Sequence, residues 1–401
     1  MTSGLTQDVL IRDAAGVEEF ARECFAAVAG EERVGAELEF LVYDRRDPAR
    51  PVPVGEVVAA LPELPGGSRV TFEPGGQLEL SGPPGTLTGA VRRLGADVEA
   101  VRAALLDAGL APAGVGLDPV RPPVRQLTEP RYEAMARHFG APYGPLMMCS
   151  TASIQVNLDL GAAPEVRWER AHLLGPVLVA AFANSPLGAR GPTGWMSGRQ
   201  EVWENLDRTR TAPVPAAADP AAAWAAYLLD ARLMVLRDGD GRCRQVRDGT
   251  TLRDRIAATG VTKAEVAYHA TTVFPPVRPR GWLEIRYLDA QSPAVWPVCV
   301  AVTHALITDD KAAGAACAAA EPCRGLWRTA ARDGLAGAPL RRAAQECFHA
   351  ALDALPRLGA HPGLIRAVAD FADRHVTPGR SPAAALLDGP PIGTRLMEGH
   401  L

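Results

Sequence analysis

The chemistry-bearing residues of this chain are carboxylates and amides recurring at alternate positions in four short stretches. "GAELEF" carries Glu37 and Glu39, and "FEPGGQLELSGPP" carries Glu73, Gln77 and Glu79. "SIQVNLDL" carries Gln155, Asn157 and Asp159, and "WLEIRYLD" carries Glu284 and Arg286. In an extended strand, residues two apart share a face. Each stretch therefore has one apolar face, such as Leu38 with Phe40 or Leu78 with Leu80, and one face of oxygen ligands. Taken singly, such alternation describes any half-exposed antiparallel sheet, and Glu73 beside its Pro-Gly-Gly turn could be a plain turn residue.

Taken together the stretches say more. A solvated sheet face mixes Lys, Thr, Ser and Arg with its acids, because like charges on neighbouring strands repel. Here Arg286 is the one cation among the four sets. Two carboxylates about 4 Å apart repel by roughly 4 kcal/mol at an effective dielectric of about 20. If the strands are neighbours, positive charge must come from outside the sequence. Hard oxygen ligands without a His or Cys cluster point to Mg²⁺ or Mn²⁺ rather than zinc.

Such ligand sets commonly bridge protein carboxylates to nucleotide phosphates. The sequence contains no Gly-Lys pair, which excludes a Walker-type loop; "GVGLDP" at Gly114 is not a dinucleotide fingerprint, and HExxH is absent. A nucleotide would have to be held by metals and arginines on a sheet. Lys263 and Lys311 are the only lysines, so an anionic substrate group needs Arg, a metal or backbone amides.

Composition bounds the partners. The formal charge of −4 offers no basic surface, so no nucleic-acid partner is expected. No segment approaches the roughly 20 apolar residues that span a bilayer, and "MTSGLTQDVLIRDAAG" lacks the basic-then-apolar pattern of a signal peptide. Seven scattered cysteines without CxxC spacing fit reduced thiols, and a cytoplasmic protein is expected.

The elements that must position these residues follow from periodicity. Helices are expected over Val17–Ala29, near Gly55–Leu61, over Leu87–Ala108, in "PRYEAMARHFG", over Arg167–Ala183 and over Ala221–Asp230. Strands are expected in "RVGAELEFLVYD", either side of the Gly75-Gly76 turn, through "MMCSTASIQVNLDLG", over Ala231–Leu236 and in "GWLEIRYLDAQ". From Ala294 to about Arg374 the chain reads as helical. With no internal repeat or long linker, 1–401 is read as one catalytic domain, with a sheet-bearing core over about 30–300 and a helical part over about 301–401.

At this point the motifs resemble a known family. "GAELEF", "FEPGGQLELSGPP", "MMCSTASIQVNLDL", "ANSPLGARGPTGWMSGRQEVWENLDRTR" and "TTVFPPVRPRGWLEIRYLD" stand in the order and spacing of the glutamate–cysteine ligases. The likeness is to the plant-type branch and to the actinobacterial enzymes that open ergothioneine biosynthesis, and it covers about Gly35 to Asp289. The resemblance implies an α+β fold: a curved, mainly antiparallel sheet forming an open funnel with helices outside, as in glutamine synthetase. It implies that ATP, L-glutamate and L-cysteine give γ-glutamylcysteine, ADP and phosphate through a γ-glutamyl phosphate. By motif position, Glu37, Glu39, Glu73, Glu79, Gln155 and Glu284 resemble the ligands of Mg²⁺ or Mn²⁺. Some bacterial relatives have His where this chain has Gln155, and the plant-type branch has Gln. Arg286 resembles the phosphate-facing arginine, and Arg199 and Arg131 resemble those that hold substrate carboxylates.

The resemblance also suits Gly188–Gly198 as a cover over a reactive acyl phosphate. Arg131 could equally form a structural ion pair. Asn157 and Asp159 are read as finishing the strand face, Trp195 and Trp203 as packing, Cys149 as core, and His138, His269 and His304 as structural. A ligase with another amine acceptor, the same step serving glutathione synthesis, or a non-catalytic binder on this scaffold remain open from sequence.

Overall fold

The computed structural model describes residues 10–26, 32–237, 243–390 and 392–398. Its organising element is the alternating segment Val34–Asp44 (β1), whose even positions Val34, Ala36, Leu38, Phe40 and Val42 all enter the main apolar core. Around it the other alternating segments pair as strands: Arg69–Phe72 (β2), Leu78–Ser81 (β3), Leu110–Ala113 (β4), Ser153–Leu158 (β5), Val277–Pro279 (β6) and Leu283–Asp289 (β7). The sheet runs β6-β7-β5-β1-β3-β2, with β4 also on β1, and every pairing is antiparallel.

Register decides what faces what. Glu39 lies opposite Glu79, Glu37 opposite Gln155, and Glu284 opposite Asn157. Slipping β1 by one residue would turn every acid into the core, so burial of the even positions fixes the acids on the other face. That face ends where β1 changes partner. β3 pairs with Glu37–Phe40, then β4 pairs with Leu41–Asp44, and Leu41 and Tyr43 join a second apolar cluster with Ala113, Val115, Ala152 and Ala290.

Some helices cover the core face, and others carry residues toward the acidic one. Their labels in chain order are Ala14–Cys24 (α1), Leu87–Asp107 (α2), Pro130–Phe139 (α3), Tyr143–Ser150 (α4), Pro164–Ala181 (α5), Gly198–Glu204 (α6), Pro220–Asp230 (α7), Trp296–Thr308 (α8), Asp310–Ala320 (α9) and Ala338–Ala354 (α10). The C-terminal two-thirds of α5 and nearly all of α8 are buried, the pattern of helices enclosed on all sides rather than lying on a surface. Both contact the sheet, and α9 and α10 pack behind them. Each fully buried Leu or Val in this layer contributes about 1.5–3 kcal/mol of transfer free energy, which offsets carboxylate desolvation on the other face. No helix among the described residues is long and apolar enough to cross a membrane.

The expected elements form, with differences. "MMCS" is the end of helix α4 and not strand: Met147, Met148 and Cys149 pack into a cluster with Met135, Val202 and Met234, and β5 starts only at Ser153. A short fully apolar run has no periodicity to separate helix from buried strand. Ala231 ends α7, and the strand after it is Val235–Arg237. Helix α1 ends at Cys24, and part of the expected extension to Ala29 lies outside the described residues. The helical character after Ala294 continues through Pro382–Asp388 and Ile392–Glu398.

Candidate active site

Glu73 and Glu79 flank the Gly75-Gly76 turn. Glu73 N donates to the Gln77 carbonyl at 2.9 Å and Gly76 N to the Glu73 carbonyl at 2.8 Å. Gly76 has φ 89°, and a Cβ on Gly75 would stand 2.5 Å from the Cys149 backbone, so both glycines are required by geometry. Gln77 is structural: its Nε2 donates to the Thr151 carbonyl at 2.8 Å and its Oε1 accepts from Gly75 N at 3.0 Å, tying the turn to the end of α4.

The turn and register bring Glu39, Glu73 and Glu79 together, with ligand oxygens all within 4.8 Å of one another. Burial, then Glu39 and Glu79, push the Glu73 carboxyl up to about 8. Glu79 is raised by burial and by Glu39, and Glu39 is raised chiefly by its own burial. Glu39 is oriented by three donors, Ser153 N at 2.8 Å, Ser153 Oγ at 2.9 Å and Gln155 Nε2 at 3.2 Å. Glu79 accepts from Thr71 Oγ1, its neighbour on β2. Oxygen-only donors, close together and short of positive charge, fit a hard divalent cation.

The other expected ligands stand differently. Glu37 lies outside that trio, held by Asn157 Nδ2 at 3.0 Å and raised by burial, Glu284 and Glu79. Glu284 is already matched by cations: Arg278 Nε at 2.6 Å, Arg286 Nη1 at 3.0 Å and Arg280 Nη1 at 3.2 Å. Burial opposes ionisation of Glu284, but Arg278 and then Arg286 hold it well below the usual carboxylate range. Gln155 bridges the two groups, its Oε1 accepting from Arg286 Nη1 and its Nε2 donating to Glu39.

The reading of Arg286 as the lone cation is therefore corrected. Arg278 sits on edge strand β6 directly opposite Glu284, and Arg280 follows in the hairpin. Neither alternates with an acid on its own strand, so within-strand spacing gave no signal for them. Arg286 stands where the β7–β5 register shifts, between Ile285 and Leu288. The irregularity frees its carbonyl, which accepts from Arg199 Nη2 at 3.0 Å.

Arg199 enters from the first turn of α6 and is 4% exposed, with Nη1 lying 4.0 Å from Asp289 Oδ1 and lacking a hydrogen-bond partner among the described residues. Burial lowers its pKa, while Asp289 and Glu39 oppose that shift. Its support is Asp289, which the sequence did not single out. Asp289 accepts from Ser185 Oγ at 2.7 Å, Asn184 N at 2.9 Å and Ser197 Oγ at 2.9 Å. Ser197 also caps α6 by accepting from Gln200 N at 3.2 Å. Both ends of the Gly- and Pro-rich loop are thus pinned to β7, and its tip is the short ribbon Leu187–Gly188 with Gly191–Pro192. Arg131 is held by Thr271, through Nη1 to Oγ1 at 3.0 Å and Nη2 to the carbonyl at 2.7 Å, and its charge is felt at Glu73.

The residues read as packing or structural behave so. Cys149 is buried, Trp203 packs its ring on Phe274, and His269 Nε2 donates to the Leu228 carbonyl at 3.0 Å. His138 does have a partner, Asp207 Oδ2 at 3.0 Å.

A buried sheet face carrying an acidic trio, an arginine-clamped carboxylate and a buried arginine with a spare donor is the kind of site that serves anion-to-anion chemistry. Residues 33–399 match the family model "Glutamate-cysteine ligase family 2", and the chain belongs to that family and is a ligase. It is similar to "Glutamate--cysteine ligase EgtA" of Mycobacterium tuberculosis (strain ATCC 25618 / H37Rv), 41% identical with 92% of this chain and 90% of that protein covered. It is 43% identical to the protein of the same name from Mycolicibacterium smegmatis, over 81% of this chain and 80% of the other. It is 32% identical to the chloroplastic glutamate–cysteine ligase of Medicago truncatula, over 78% and 66%. Among solved structures, the fold is shared with a glutamate–cysteine ligase from Francisella tularensis in complex with AMP, at TM-score 0.52 and 12% identity, covering 94% and 89% of the chains.

Proposed function

We propose that the chain joins the γ-carboxylate of L-glutamate to the amine of L-cysteine, converting ATP to ADP and phosphate. The observation that carries this is the convergence of Glu39, Glu73 and Glu79 beside Arg286 and Arg199 in a family of named ligases. We take residues 1–401 as one catalytic unit acting in the cytoplasm, and the EgtA likeness supports its placement at the first step of ergothioneine biosynthesis.

A carboxylate is a poor electrophile, so its γ-oxygen first attacks the terminal phosphorus of ATP; the bond to the bridging oxygen breaks and ADP leaves. The cysteine amine then attacks the acyl phosphate carbon, phosphate departs, and the nitrogen sheds a proton. Glu39, Glu73 and Glu79, joined by Glu37, Gln155 and Glu284, would hold Mg²⁺ or Mn²⁺. Such a cation neutralises the triphosphate when bound. Arg286 meets the charge on the transferring phosphoryl group, and Glu284 with Gln155 fixes the guanidinium in place. Arg199 offers Nη1, which has no hydrogen-bond partner among the described residues, to a substrate carboxylate, and Arg131 assists from α3. Positioning of glutamate in line with ATP supplies much of the remaining acceleration.

Incubation with ATP, Mg²⁺, glutamate and each amino acid in turn tests the reading. Cysteine-dependent ADP release with formation of γ-glutamylcysteine is expected. ADP release that ignores cysteine, or that follows another amine, would replace it.

A further inference from the structure

A polar cavity is lined by none of the acidic-face residues. It is a cleft of about 600 Å³ whose wall includes Arg137, His138, Asp207, Arg232 and Arg247. Three of these are guanidinium side chains, and Arg137, Arg232 and Arg247 are all exposed. The carboxylate in the wall is already engaged. Asp207 accepts from His138 or its protonated form at 3.0 Å, from Arg210 Nε at 3.2 Å, and from Thr209 N and Oγ1 at 3.0 and 2.7 Å. Arg137 reaches Glu133 only at 3.8 Å, and Glu133 is held by Arg125 at 2.6 Å. Among the described residues that line the cleft, three arginines thus face one carboxylate.

The cleft is also wired to the proposed substrate arginines. Helix α3 carries Arg131 in its first turn and Arg137 and His138 in its last, and α6 carries Arg199 at its start and leads into Asn205–Asp207 in the cleft wall. A hydrogen-bonded route runs in parallel. Arg210, bonded to Asp207, donates from Nη1 to the Thr272 carbonyl at 2.5 Å. The residues either side of Thr272 hold the site, since Thr271 binds Arg131 and the Val273 carbonyl accepts from Arg278 Nη1 at 3.1 Å.

We propose that this cleft binds a small molecule bearing two or more carboxylate or phosphate groups, and that its occupancy changes substrate affinity through Arg210 and the Thr271–Val273 segment. Guanidinium groups pair bidentately with both kinds of oxyanion, so the shared chemistry is the polyanion. The coupling half rests on the ligase reading; the binding half does not.

The test is calorimetric titration of the full chain, in metal-free buffer at fixed ionic strength, with benzene-1,3,5-tricarboxylate in one arm and fructose 1,6-bisphosphate in the other. One arm at least should give saturable one-to-one binding, weakened by about tenfold or more in the Arg137→Glu, Arg247→Glu double variant and unchanged in Arg286→Gln. No saturable binding in the millimolar range, or binding lost in Arg286→Gln instead, would overturn the site. In ligase assays the bound probe should shift the KM for glutamate by about fivefold in the parent chain and not in the double variant. An unchanged KM despite binding would overturn the coupling.

Discussion

Glu39 and Glu79 stand directly opposite each other on β1 and β3, two carboxylates paired across an antiparallel ladder and both raised by burial. Like charges in that position destabilise a sheet. With Glu73 completing the trio, the arrangement costs stability that the proposed cation would return on binding, and its consequences can be measured.

The first concerns pH. Glu73 is raised to about 8 in the folded chain, so between its ordinary carboxyl range and that value the folded state holds a proton the unfolded state lacks. Metal-free protein should therefore lose stability as pH rises from 5 toward about 8, read as a falling Tm. Saturating Mg²⁺ should flatten that slope, and metal binding near neutrality should release protons, seen as a buffer-dependent heat. Glu73→Gln should reduce the slope in the metal-free protein.

The second concerns Glu284. Removing its charge leaves Arg278, Arg280 and Arg286 around an uncharged side chain, two of them buried or nearly so. Glu284→Gln should cost about 3–5 kcal/mol of stability by urea unfolding. Glu37→Gln, whose carboxylate is held by a neutral amide, should cost much less.

The third separates chemistry from binding. Arg286→Gln should lower kcat by about a hundredfold or more while KM for glutamate moves little, because the lost charge is the one proposed to act on the transferring phosphoryl group. Arg199→Gln should act mainly on KM for the amino-acid substrates. Steady-state kinetics on the two variants would show the opposite split if the roles are exchanged.

The fourth concerns the loop anchor. Asp289→Asn keeps the shape but weakens the acceptors for Ser185 and Ser197 and removes the charge 4.0 Å from Arg199 Nη1. It should raise KM for glutamate without abolishing turnover, and protease cleavage within 185–198 should quicken.

The acidic face was legible because alternation in β1, β3, β5 and β7 ties each acid to an apolar neighbour, and burial of Leu38, Leu80, Ile154 and Ile285 then decides which way the acids point. What alternation cannot encode is contact between strands. Arg278 and Arg280 meet Glu284 through the β6–β7 pairing, and Asp289 meets Ser185 and Ser197 across about a hundred residues of chain, so neither was visible in any local pattern. The helix ending in "MMCS" was missed for a related reason: its residues are apolar on all sides, and only packing against Met135 and Val202 distinguishes it from a strand.

The most direct measurement is a Mn²⁺ titration followed by electron paramagnetic resonance, with ADP present, on the parent chain and on Glu39→Gln and Glu79→Gln. Loss of tight Mn²⁺ binding in both variants, together with loss of cysteine-dependent ADP release, is the predicted result. Undiminished Mn²⁺ affinity in the variants, or full turnover of the parent chain after exhaustive chelation, would contradict a site built on these carboxylates.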